Sequence, residues 1–185
     1  RMLAGRIDST QRGAIGDTAG AVTHLTAIAA TREIPVADRY AAVVRAAAWS
    51  RGRWADSLSE STWMDLLRAL DYVGEPTPGL GVLAARRVAP RDSATALARA
   101  DEEAALLARA RRHADAAAAF TRLLGRRDRP AADRGRWALG LARARRSQGA
   151  FGAMDSAFVL AASLDSLGPS GESAAWERAR EWENR

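Results

Sequence analysis

The chain has no cysteine and no lysine. Without cysteine, disulfides and thiolate chemistry are both excluded. Without lysine, every side-chain cation is arginine, charged at any relevant pH and shaped as a fork for carboxylate or phosphate. In the first place this is a compositional bias, such as a GC-rich genome writes, and its physical consequence holds regardless. Aromatic residues are few, at 6%, although six of them are tryptophan. No apolar run approaches the roughly 18 residues that a membrane span needs. Valine and isoleucine are sparse, and no stretch alternates apolar with polar as a half-buried strand would. Alanine dominates the apolar set instead, and alanine is the best helix former. These absences leave an all-α fold. With 185 residues, the chain is long enough to bury a real core as one domain.

Chemistry-bearing residues are equally scarce. There are two histidines, His24 and His113, far apart and without metal-ligand spacing around either. No serine sits in a nucleophile-elbow pattern. Asp101, Glu102 and Glu103 are consecutive, so on a helix they face different ways and make a poor shared metal site. Residues 79–84, GLGVLA, spell a pyrophosphate-cradling pattern. It has meaning only after a buried strand in a βαβ unit, and here it follows EPTP in a helical context. The expectation is therefore a non-enzyme with no catalytic residues, no cofactor and no metal.

Charge is unevenly spread. Residues 1–85 hold 9 arginines and 9 acids, residues 86–146 hold 16 and 7, and residues 147–185 hold 3 and 6. A basic middle followed by an acidic tail suggests a polarised surface.

Along the chain, residues 1–15 read as an irregular lead-in within a single domain spanning 1–185, and an N-terminal helical group fills 16–73. A first helix runs from Asp17 to about Arg32, with Val22, Leu25 and Ile28 on one side. A second covers 36–51, with Tyr40, Val43, Val44, Ala47 and Ala48 as its stripe, and Gly52 ends it. A third covers 54–72. GEPTPGLG, residues 74–81, is the one strong break, read as a tight loop or hinge. Repeat-like hairpins are expected over 82–167, with a short helix to about Val88 and helices at 93–111, 114–125, 130–147 and 150–167. A capping helix follows within 168–185, near 172–183, giving eight or nine in all.

Within RRHADAAAAFTRLL, Ala116, Phe120, Leu123 and Leu124 share one helix face. A very short turn at Arg112–His113 joins this helix to the preceding one as an αα-hairpin. The pattern recurs 38 residues on: Phe151 stands where His113 was, Met154 for Ala116, Phe158 for Phe120 and Ala161 for Leu123. Trp54 takes the same slot further upstream. Here the chain resembles the tetratricopeptide repeat, moderately over 93–166 and weakly over 36–70. Gly149 and Phe151 match that family's glycine-aromatic turn. Phe158 and Ala161 match its second helix, as do Ala116 and Phe120. The period of 38 departs from the family's 34. The resemblance implies antiparallel hairpins stacked as a short α-solenoid, with Phe120 and Phe158 buried at equivalent places, and it implies protein binding.

The residues expected to meet a partner are three arginine groups, Arg109/Arg111/Arg112, Arg126/Arg127/Arg129 and Arg143/Arg145/Arg146, together with Trp182. Two of the groups lie near predicted helix ends, where cations also favour the helix dipole. The functional expectation is a scaffold or assembly subunit that binds other protein subunits and braces a larger complex. More finely, it is a membrane-extrinsic subunit of a bacterial membrane-protein assembly, photosynthetic or respiratory, touching an acidic protein surface or membrane headgroups. The alternative partner is nucleic acid, weakened because no aromatics interleave with the arginines. Arg1 preceding Met2 reads as a processed or cut start, which tilts the expected compartment toward the periplasm. Trp176 is expected to pack on the 150–167 helix.

Overall fold

The structure, a computed structural model, describes residues 18–50 and 52–184. The expected irregular lead-in lies outside the described residues. Every regular element among them is helical: α1 (Thr18–Ala30), α2 (Val36–Trp49), a 3-10 helix (Gly52–Ser57), α3 (Glu60–Tyr72), α4 (Pro76–Ala85), α5 (Ser93–Arg109), α6 (His113–Leu124), α7 (Ala131–Ser147), α8 (Phe151–Leu164) and α9 (Pro169–Glu183). None of these helices is long and apolar enough to cross a membrane. The chain divides into two compact units, residues 1–92 and 93–185.

In the first unit α1 packs on α2 and α3, and α4 packs on α2 and α3. The core is formed by Val22, Leu25, Val43, Trp63, Leu66, Leu67, Leu70 and Val82, with alanines between them. Helix α2 buries Ala42, Val43, Ala46 and Ala47, so its inward stripe is rotated from the expected one. Tyr40, Val44 and Ala48 are exposed. The expected helix over 54–72 is two elements, because Ser59 accepts the Thr62 amide at 3.1 Å and caps a new start at Glu60.

GEPTPGLG is not a loop. Gly74 alone makes the turn, with φ +79, and α4 begins at Pro76. A proline there loses no intrahelical bond, because the first helical amides have no partner. Gly79 and Val82 of GLGVLA are buried mid-helix, so that pattern is packing. Arg86 then staples the unit. Its guanidinium, 5% exposed, donates to the Ala55 and Leu58 carbonyls at 2.9 and 3.0 Å and to Glu60 at 3.1 Å. It also lies over the Trp63 ring, 5.2 Å from its centroid.

In the second unit consecutive helices from α5 to α9 pack on one another, and α7 also touches α5 and α9. Helices α5, α7 and α9 therefore form one layer, and α6 and α8 cover it. The turns repeat. Arg111 and Gly149, 38 residues apart, both adopt positive φ, +59 and +71. The next residues, Arg112 and Ala150, have φ/ψ of −82/62 and −84/65. Their amides donate to the Leu107 and Arg145 carbonyls at 2.9 and 3.0 Å, the six-to-one bond of a Schellman motif. The turn at Gly74 has the same bond, from the Glu75 amide to the Leu70 carbonyl at 2.9 Å. The slot expected for Trp54 is not tested by this turn. The Trp54 side chain lies outside the described ones, and its backbone belongs to the 3-10 helix.

Phe120 and Phe158 are 7% and 0% exposed, both buried as expected. Phe120 rests on Gly140 of α7, where an added Cβ would meet its ring at 2.6 Å. Phe158 packs with Ala138, Ala142, Met154 and Ala174. At the start of α9, whose N-cap is Gly168, the Asp165 carboxylate accepts the first-turn Ser170 amide at 3.0 Å.

Candidate partner-binding surface

The short connections of the second unit reverse the chain at each step. The turns after α5 and α7 therefore share one end, and the loop after α6 lies at the other. The arginine groups are divided accordingly. Arg109, Arg111 and Arg112 share an end with Arg143, Arg145 and Arg146, while Arg126, Arg127 and Arg129 are on the opposite end.

Several of these cations meet acids within the chain. Arg112 donates from Nε to Asp115 at 2.8 Å, and Arg129 lies 3.6 Å from Asp133. Arg143 donates from Nε to Glu177 on α9 at 2.9 Å. Arg146 reaches Glu177 at 3.1 Å and Glu181 at 3.4 Å. Arg145 donates to the Gln148 side chain at 3.1 Å. Arg109 ends α5 and is exposed. Arg111, Arg126 and Arg127 are exposed and carry no ion pair among the described residues.

Trp176 is not packed on α8: it is 61% exposed. Helix α9 buries its small residues, Gly171 and Ala174, instead. At about 100° per residue, Trp176 lies roughly 200° from Ala174, on the opposite side. Small residues let α9 approach its neighbours closely, and that choice turns the tryptophan outward. Trp182, 59% exposed, is tied to α8 by its indole N–H, which donates to Asp155 at 3.2 Å. Arg178 donates to the same carboxylate at 2.6 and 3.1 Å, and that bond raises its already high pKa.

What the fold assembles is a groove of about 460 Å³ between α7 and α9. Arg143, Arg146, Trp176, Glu177, Arg180 and Glu181 line it. The Arg180 guanidinium lies over the Trp176 ring, 5.2 Å from its centroid. Three guanidiniums face two carboxylates, so the groove is cationic with an aromatic wall. Trp176 and Arg180 were not among the expected partner residues; their i, i+4 spacing was the available signal. Groups of this kind can bind and orient an anionic or apolar group. His24 and His113 lie on α1 and α6, in different units. Among the described residues no cluster of His, Asp and Glu could hold a metal ion.

Comparison with protein-family models, curated proteins and solved structures finds no match to this chain.

Proposed function

We propose that this chain is a non-catalytic scaffold subunit. In this reading its second unit is a short array similar to tetratricopeptide repeats, and the α7–α9 groove holds a segment of another protein. The observation that carries it is the exposed Trp176 stacked under Arg180 beside Arg143 and Arg146. Tryptophan and arginine together are what interface hot spots are made of, and a large ring held in water is the feature that a partner relieves. The matching partner presents an acidic residue next to an apolar side chain. The excess of arginine over 86–146 supports the finer reading, a membrane-extrinsic subunit seated on a bacterial membrane-protein assembly with an acidic or headgroup-lined surface.

The test is capture from the native source by the full chain, with mass spectrometry of what is retained. A discrete protein set, lost with Trp176→Ala and with Arg180→Gln and weakened by salt, supports the reading. Capture that is indifferent to both substitutions rejects the groove. Retention of nucleic acid at physiological salt would replace this reading by the nucleic-acid one.

A further inference from the structure

The first unit holds a second groove. It has a volume of about 740 Å³ and lies between α1, α3 and the start of α2. We propose that it binds a small amphipathic organic anion, an apolar body carrying one acidic head.

The size comes first. Small-molecule sites run to roughly 300–1,000 Å³, and a groove of about 740 Å³ has room for one; its lining is what sets the ligand class. The floor is apolar: Ala27 and Ala30 of α1 face Ala69 of α3. Alanine methyls are what leave the space open. Tyr72 forms one wall, with the Arg39 guanidinium 5.7 Å from its ring centroid.

The charge comes second. Arg32, Arg39 and Arg68 line the groove against a single acid, Asp65. Asp65 lies 3.4 Å from Arg68, both side chains being largely exposed, so this pair is weak. Neither Arg32 nor Arg39 has an ion pair among the described residues. The Arg39 Nε–H is buried and makes no hydrogen bond, and a buried donor without an acceptor is costly. The Thr23 and Thr26 hydroxyl protons are already donated to the Ala19 and Val22 carbonyls, at 2.9 Å each. The Thr62 hydroxyl accepts from Ser59 at 2.9 Å and is a neutral group of the lining; the guanidiniums are the charged donors of the groove, and a carboxylate or a related oxyanion is what they fit. A bare inorganic anion would satisfy the arginines and leave the alanine floor and the tyrosine wall wet. An uncharged apolar molecule would leave the arginines unanswered.

The probe is 8-anilinonaphthalene-1-sulfonate, titrated by fluorescence into the folded full-length chain. Saturable one-to-one binding is expected. It should weaken about tenfold or more with Arg39→Gln, the loss of roughly one charge-assisted hydrogen bond. Arg32→Gln, outside any helix, is the second variant and should also weaken binding, while Arg180→Gln in the other unit leaves it unchanged. Thermal melts of each variant confirm that the fold is kept. Dodecanoate should displace the probe, and neither dodecanol nor inorganic phosphate should do so at equal concentration. Absence of saturable binding, or binding indifferent to both arginine variants, would overturn the proposal. So would displacement by dodecanol as good as by dodecanoate, since the arginines would then have no role. Displacement by phosphate alone would reduce the groove to a simple anion site and overturn it equally.

Discussion

The Arg136 guanidinium on α7 meets the Asp101 carboxylate on α5 in a two-pronged ion pair, at 2.7 and 3.0 Å. The hydrogen bond to Asp101 raises the already high pKa of Arg136. Asp101 also accepts the Trp137 indole N–H at 2.9 Å. At the other end of the array Asp155 holds Arg178 and Trp182 in the same way. One carboxylate serves a fork and an indole in each case, and each joins two helices of the second unit.

Removing Asp101 should therefore cost more than removing Arg136. Arg136 is half exposed, and such pairs contribute about 0–1 kcal/mol. Trp137 is buried, and stranding its N–H costs about 1–3 kcal/mol. Urea unfolding of Asp101→Ala and Arg136→Gln should rank them in that order. Equal losses would mean that the indole bond contributes nothing.

Two glycines inside helices should respond oppositely to alanine. At Gly152, the second residue of α8, a Cβ meets nothing within 4 Å, so Gly152→Ala should stabilise by helix propensity, by less than the roughly 1 kcal/mol of a helix interior. At Gly140 the Cβ meets the buried Phe120 ring at 2.6 Å. Overpacking costs about 1–3 kcal/mol and outweighs the propensity gain. Gly140→Ala should lower the melting temperature while Gly152→Ala raises it.

The repeat turns allow a paired experiment. Arg111 and Gly149 occupy the same left-handed turn position, where a non-glycine residue is strained by about 1 kcal/mol. Arg111→Gly should stabilise by a few tenths to about 1 kcal/mol, and Gly149→Ala should destabilise by about 1 kcal/mol. Arg111 carries no ion pair among the described residues, so little is lost with its side chain. Chemical denaturation of both variants checks the sign, and a loss on Arg111→Gly would show that the turn is not strained.

Much of the helical layout was legible. Helices expected at 114–125 and 130–147 are Leu124-ended α6 and Ser147-ended α7, within a residue or so. Their signals were strong: an aromatic-leucine face and proline at a helix start. Legibility failed where alanine is everywhere. In α2 nearly every face is apolar enough to bury, so periodicity could not choose among them, and the close-packing set Ala42, Ala46 and Ala47 prevailed over Tyr40 and Val44. The same logic turned Trp176 outward, because Ala174 and Gly171 allow a closer approach than an indole does. GEPTPGLG misleads for another reason: proline breaks a helix interior, but at the first turn of α4 it is well placed. The α7–α9 groove depends on which cations find acids 31 to 35 residues away, a non-local fact that local spacing does not carry.

The last prediction concerns high pH. The Tyr40 hydroxyl on α2 donates to the Glu75 carboxylate at 2.6 Å. That hydrogen bond, reinforced by the negative charge of Glu75, raises the phenol pKa above its ordinary value, which is about 10. The folded chain thus holds this proton more tightly than the unfolded chain does. The unfolded state releases it first as pH rises, so it binds fewer protons and stability falls with pH. The contribution is complete below about pH 10, the unfolded value, and is lost as pH rises through the folded one. The chain has two tyrosines, so tyrosinate absorbance is best titrated in a Tyr72→Phe background, which keeps the ring beneath Arg39. The midpoint should lie above the ordinary value, and Glu75→Gln should return it there. Tyr40→Phe should flatten the alkaline fall in stability. A Tyr40 midpoint at the ordinary value in the folded chain would show that the bond to Glu75 does not form in solution.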